Sequence, residues 1–392
     1  MKKWFLSLAL ATLALSAVQA QSTDEGWTAT WATAVEFTGP GDMPKASLSN
    51  RSLREIIHIS IGGEEMRMQL SNIHSKEPVD IKSVYIATPV DNSDIDPKTA
   101  KYLTFGGKKS VTIEPGKAVY CDVMKYHLDP LQLLSITINY GESTPKNASS
   151  HRGSRTTSYI IPGESKPKTK FVDPEKCDHW YNISCIDVKT SAPTPCVAVL
   201  GNSITDGRGS TTNKQNRWTD FMAEAYEGKA AVLNLGIGGN AVVRGGLSEP
   251  ALKRFDRDIL EQTGVTSVVI YEGVNDIGGF KPNHMDIVRS LQDAYKELIK
   301  KAKDAGKKVY LATITPFFGN SYYTHFSEAA RLTVNDWIRA NKDVDGIIDF
   351  DKLVQDPANP KALLKEYSDD GLHCTPKAYE AMGKYAAQQV KY

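Results

Sequence analysis

The chain has 392 residues, 41 % hydrophobic and 24 % charged, with 47 Lys+Arg against 46 Asp+Glu. This composition is globular and excludes a disordered chain. The balanced charge lacks the basic excess that nucleic-acid binding or adhesion to an anionic membrane surface uses, and the length fits two domains of about 100–200 residues each.

Residues 1–20 read MKKWFLSLALATLALSAVQA. Lys2 and Lys3 precede an apolar run from Trp4 to Leu15, and Val18-Gln19-Ala20 supplies small residues where a signal peptidase reads. A secretory signal cleaved after Ala20 is expected, with a secreted or periplasmic mature protein. The run is shorter than the ~20 residues that span a bilayer, so no membrane attachment is expected after cleavage. Without these residues the formal charge falls from +1 to −1. That near-neutral total fits a neutral substrate and no nucleic-acid partner. The five cysteines, Cys121, Cys177, Cys185, Cys196 and Cys374, leave at least one thiol unpaired. Cys177 and Cys185 are the only close pair and the candidates for a bridge.

Residues 27–163 read as antiparallel β structure. Met66, Met68 and Leu70 alternate with Arg67, Gln69 and Ser71, and Leu134, Ile136 and Ile138 alternate with Ser135, Thr137 and Asn139. A period of two puts one face on a core and one in water. Gly62-Gly63 and Gly106-Gly107 each separate two such runs, as the turns of tight hairpins do. A β-sandwich or jelly roll of about 7–8 strands follows. Residues 164–194 are lysine- and proline-containing and read as a solvated connector, with Trp180-Tyr181 packed against a domain.

From 195 to 392 the pattern changes. Short apolar runs at Val197–Leu200, Ala231–Leu235, Ser267–Tyr271, Val309–Thr313 and Gly346–Phe350 alternate with helical stretches, the clearest placing Ile287, Leu291, Ala294, Leu298 and Ala302 on one face. Five β–α units in sequence give an α/β domain with a parallel sheet covered on both faces. Ligands of such sheets bind at the carboxyl ends of the strands.

Four loops leave those ends: Gly201-Asn202-Ser203-Ile204-Thr205-Asp206-Gly207, Asn234-Leu-Gly-Ile-Gly-Gly239, Gly273-Val-Asn275-Asp276 and Asp370-Gly-Leu-His373. Together they hold the parts of a serine esterase. Ser203 is a nucleophile that needs a base. His373 can be that base, and Asp370 can fix its tautomer and stabilise the imidazolium. The N–H groups of Ser203 and Gly239 and the amide of Asn275 can hold a tetrahedral oxyanion. Cys374 beside His373 reads as a packed or free thiol. No Gly-x-Ser-x-Gly, Walker loop or His-Glu-x-x-His is present, and no metal or cofactor site is indicated. Trp218, Phe280, Phe317, Phe318, Tyr322 and Tyr323 lie near the strand ends, where rings could stack on sugars.

In this order the four blocks GNSITDG, NLGIGG, GVND and DGLH resemble the SGNH/GDSL hydrolase family over residues 195–392. The resemblance implies a flavodoxin-like three-layer αβα domain with Ser203, Asp370 and His373 as the triad and Ser203, Gly239 and Asn275 as the oxyanion hole. It departs at Asn202, where the family usually has aspartate. The β-rich N-terminal half, Trp31–Ala34 and GNSITDGRGSTTN are similar to secreted arylesterases and acyl esterases associated with xylan degradation. The implied function is a secreted O-acetyl or short-acyl carbohydrate esterase acting on plant polysaccharide or other glycan. A lipid or aryl esterase of the same family is the alternative, and an inert glycan-binding protein the alternative of another class.

Overall fold

The structure, a computed structural model, describes residues 26–279 and 284–392. The expected signal segment and Phe280 lie outside the described residues.

Two large antiparallel sheets form most of the N-terminal half, beside a three-stranded sheet of Trp180–Tyr181, Ser149–His151 and Glu36–Phe37 and a two-stranded one of Pro89–Asp91 and Asp94–Ile95. The first large sheet runs Trp27–Ala32, Ile183–Lys189, Gly63–Ser71, Ala118–Tyr120, with Met124–Leu128 also paired to Gly63–Ser71. The other centres on Arg51–His58, Leu133–Tyr140 and Val79–Ala87. Met66, Met68 and Leu70 of the first sheet and Leu53, Ile57, Leu134, Ile136 and Ile138 of the second join one core. The alternation marks the core-facing residues of both strands, and in Gly63–Ser71 the opposite residues Arg67 and Gln69 are wetter, as expected. In Leu133–Tyr140 it does not mark a wet face, because Ser135, Thr137 and Asn139 are buried as well.

Three expectations are corrected here. Residues 164–194 are not a free connector, because Ile183–Lys189 pairs on one side with Trp27–Ala32 and on the other with Gly63–Ser71. Six of its seven residues are buried, and a strand covered on both faces need not show the alternation that would mark it in the sequence. Gly62-Gly63 does not close a hairpin. The strands before and after it belong to different sheets. Glycine is needed there for close approach, since a Cβ on Gly62 would stand 2.2 Å from the Leu128 carbonyl oxygen. Gly106-Gly107 does form the expected tight turn: both adopt positive φ, and Phe105 and Lys108 on either side pair antiparallel, the Phe105 N–H donating to the Lys108 carbonyl at 2.7 Å. The strands beyond it, Lys101–Tyr102 and Val111–Ile113, pair with Val79–Ala87 rather than with each other. Finally, Cys177 and Cys185 are not bridged. They sit in different sheets, and all five thiols are free.

The C-terminal half is the expected parallel sheet, in the order Ala231–Gly236, Cys196–Gly201, Val265–Tyr271, Lys308–Ala312, Gly346–Ile348. Both faces are covered. Val197 and Val199 enter a core with Trp218, Met222, Ala378 and Met382 from the helices Trp218–Tyr226 and Pro376–Gln389. Ala198 and Leu200 face the opposite way, into a core with Leu291, Leu298 and Val334 from the helices His284–Asp304 and His325–Ala340. That second core is continuous with the core of the sandwich. Polar bonds also cross the junction: the Ala29 N–H donates to the Thr263 carbonyl at 2.9 Å, and the Val232 N–H to Ser60 Oγ at 3.2 Å. Among the described residues no helix is long and apolar enough to cross a membrane.

Candidate active site

At the carboxyl edge of the parallel sheet, Gly201 is in register with Gly236 on one side and Tyr271 on the other. Cys196–Gly201 is the first strand in sequence but lies between the second and third, so the loops leaving it diverge from a topological switch point. Those three strand ends bring Ser203, Gly239 and Asn275 together. With His373 they line one cavity of about 360 Å³.

Ser203 opens the short helix Ser203–Asp206. Asn202 caps it, accepting from the Ile204 N–H at 3.0 Å, and donates its amide to Glu272 at 3.2 Å. Burial, with Asp276 adding to it and Arg254 opposing, lifts the Glu272 carboxyl to about 8. Asparagine keeps the cap that aspartate would provide and adds a donor toward this buried carboxyl.

Ser203 Oγ lies 2.9 Å from His373 Nε2, and His373 Nδ1 lies 2.6 Å from Asp370 Oδ2. The other oxygen of Asp370 accepts the N–H groups of Leu372 and His373 at 2.9 and 2.8 Å, so the turn aims the carboxylate at its own imidazole. Partial burial opposes the charge on Asp370, but the imidazole and the two N–H groups outweigh it and hold the carboxyl at about 2. An ionised Asp370 places the imidazole proton on Nδ1 and leaves Nε2 to accept from Ser203. Burial lowers the His373 pKa below its ordinary value, Asp370 opposes that, and the nearby charges of Arg208 and Arg155 reinforce it.

On the other side of the cavity, the Asn275 amide donates to the Asn240 carbonyl at 2.7 Å, and its oxygen accepts from the Tyr322 hydroxyl at 3.0 Å. One amide hydrogen remains for the cavity. Gly239 has φ +71, and a Cβ there would stand 2.8 Å from a Leu247 side-chain carbon, so only glycine fits. Asp276 fastens the same loop by accepting the N–H groups of Val242 and Val243 at 2.8 and 3.1 Å. The fully buried Arg254 donates to the carbonyls of Gly201 and Leu235 and to the Asn240 side chain, tying the first two strand-end loops together.

All five residues expected from the sequence therefore converge, with Asp370 behind His373. Cys374 is fully buried, and burial pushes its thiol up to about 12, unsuited to nucleophilic chemistry. Of the aromatics, Trp218 and Phe317 are core residues and cannot stack on a ligand, whereas Tyr322 lines the cavity. Among the described residues no group of three or more His, Cys, Asp or Glu is placed to hold a metal ion.

Residues 199–381 match the GDSL-like Lipase/Acylhydrolase family. Residues 199–381 are a GDSL-like acylhydrolase domain, just under half of the chain. Solved structures similar to it include a GDSL-like lipase from Bacteroides thetaiotaomicron, 21 % identical, covering 49 % of this chain and 86 % of its own, with a TM-score of 0.37. An aryl esterase from M. smegmatis is 14 % identical and covers 50 % of this chain and 97 % of its own, with a TM-score of 0.41. A carbohydrate acetylesterase from Sinorhizobium meliloti is 16 % identical and covers 50 % and 97 %, with a TM-score of 0.37. No curated protein matches the chain.

The acylhydrolase domain does not build its cavity alone. Glu36, Arg152 and Arg155, from the sandwich, line it as well. The sequence reading missed these residues. The signal available was the run Ser150-His-Arg-Gly-Ser-Arg155, three basic residues in five around a glycine, which matches no motif of the family.

Proposed function

We propose that the protein is an exported serine esterase that removes acetyl or other short acyl groups from a glycan. The observation that carries this reading is the hydrogen-bonded chain from Ser203 through His373 to Asp370, at 2.9 and 2.6 Å. Ser203 Oγ attacks the ester carbonyl while His373 Nε2 takes its proton, and Asp370 stabilises the imidazolium. The oxyanion is held by the N–H groups of Ser203 and Gly239 and the Asn275 amide. The imidazolium then protonates the leaving alcohol, giving an acyl-Ser203. Water, deprotonated by His373, attacks that acyl group and releases the acid.

The cavity supports a polar, short-acyl substrate. About 360 Å³ is at the small end for ligand sites. Its walls carry Glu36, Arg152, Arg155, Arg208, Asn275 and Tyr322, with Leu247 and Leu372 the apolar contributions. A long acyl chain finds little apolar surface there. The test is acetate release from acetylated xylan against hydrolysis of nitrophenyl esters of increasing chain length, with Ser203→Ala as control. Ser203-dependent acetate release with short-chain preference is expected. A preference for chains of about eight carbons or more would contradict the glycan reading and favour a lipid esterase.

A further inference from the structure

The molecule as a whole is nearly neutral, but the cavity is not. Arg152 is spoken for: it grips Glu36 through Nε at 3.2 Å and Nη2 at 2.7 Å. Asp206 is engaged as well. It is fully buried and takes both the Arg155 guanidinium and the His151 imidazole. The two ring nitrogens of His151 each face an acceptor, Asp206 at 2.8 Å and the Ala34 carbonyl at 2.9 Å, so both must donate and the ring is an imidazolium. Asp42 lies 3.8 Å from the remaining terminal nitrogen of Arg152, so three carboxylates, Glu36, Asp42 and Asp206, face four cations, His151, Arg152, Arg155 and Arg208.

Arg208 is the one left over. It is exposed, lines the cavity with Ser203 and His373, and its side chain has no carboxylate partner among the described residues. Its backbone is fixed on the nucleophile turn. The Arg208 N–H donates to the Ser203 carbonyl at 2.8 Å, and the Tyr379 hydroxyl donates to the Arg208 carbonyl at 2.6 Å. The guanidinium at the end of that side chain is a planar fork suited to an oxyanion.

We infer that the ester substrate carries an anionic group, a carboxylate or a sulfate, on its alcohol side, and that Arg208 binds it beside Ser203, with Arg155 supplying further positive potential. This rests on Ser203 being the esterase nucleophile. It names the substrate class as an acylated acidic sugar rather than a neutral one, against what the bulk charge suggested.

The experiment compares kcat/KM for three acetylated monosaccharides: a glucuronic acid, its neutral methyl ester and a glucose 6-sulfate. Wild type, Arg208→Gln and Arg208→Lys are assayed at low and high salt. The expected result is a preference of about tenfold or more for at least one charged ester over the neutral one at low salt. That preference should shrink with salt, fall toward unity in Arg208→Gln and survive in part in Arg208→Lys. Which charged ester is preferred distinguishes carboxylate from sulfate. Equal kcat/KM for charged and neutral esters in wild type, or a preference untouched by Arg208→Gln, would overturn this inference alone. Failure of all three to show Ser203-dependent hydrolysis would overturn the proposed function and this inference with it.

Discussion

His151 Nε2 donates to Asp206 Oδ1 at 2.8 Å across the junction between the sandwich and the acylhydrolase domain. Asp206 ends the four-residue helix that Ser203 begins, so the sandwich holds the turn that carries the nucleophile. The approach is close: a Cβ on Gly153 would stand 2.0 Å from an Asp206 oxygen. Burial opposes both charges, but the pairing outweighs it, lowering the Asp206 pKa and raising that of His151.

Asp206→Asn should therefore cost both stability and activity. It leaves His151 and Arg155 without their counter-charge in a buried setting, where removing one partner of an ion pair costs about 3–5 kcal/mol. Denaturant unfolding checks this. An unchanged midpoint would show that the pair contributes nothing.

Removing residues 26–163 should leave an acylhydrolase domain that is not independently soluble. Ile183–Lys189 would lose Gly63–Ser71 and Trp27–Ala32 as partners, and the core shared by Met68 and Ile136 with Leu233 and Leu235 would open to water. A soluble remainder that unfolds cooperatively and hydrolyses esters would contradict this.

How much of this was legible in the sequence follows from where each residue sits. Ser203, Gly239, Asn275 and His373 could be placed because a parallel sheet gathers its strand ends, and each stands just beyond such an end or, for His373, just before the last helix. Five apolar runs separated by helical periods fixed that sheet without any tertiary information. Ile183–Lys189 was not legible. Six of its seven residues are buried, and a short strand covered on both faces need not show the alternation that identifies a half-buried one. Gly62 and Gly63 misled for a different reason: a glycine required by a neighbouring carbonyl and one required by positive φ look alike in a sequence. His151 and Arg155 belong to no motif, because their partner Asp206 is more than fifty positions away and is found only by folding.

The rate should depend on pH through His373. The base must be neutral to accept the Ser203 proton, so kcat/KM rises as pH rises through its pKa. Burial and the two arginines depress that pKa, against Asp370, so the midpoint of the rise should lie below the ordinary imidazole value. Arg208→Gln removes a charge that disfavours the imidazolium, and should move the acid limb to higher pH. An acid limb that stayed in place, or moved down, would contradict the assignment.

Asn275→Ala should lower kcat by about 10²–10³-fold, the usual loss of one oxyanion donor, with little change in KM. Tyr322→Phe keeps the amide but removes the hydroxyl that holds its oxygen at 3.0 Å, and should cost less. A near-wild-type kcat for Asn275→Ala would remove Asn275 from the oxyanion site.

The most direct test of the triad is intact-mass analysis after treatment with a fluorophosphonate, for wild type and Ser203→Ala. One adduct on wild type, mapped to Ser203, and none on Ser203→Ala is the expected result. An unlabelled wild type, or a Ser203→Ala protein that labels as the wild type does, would contradict Ser203 as the nucleophile.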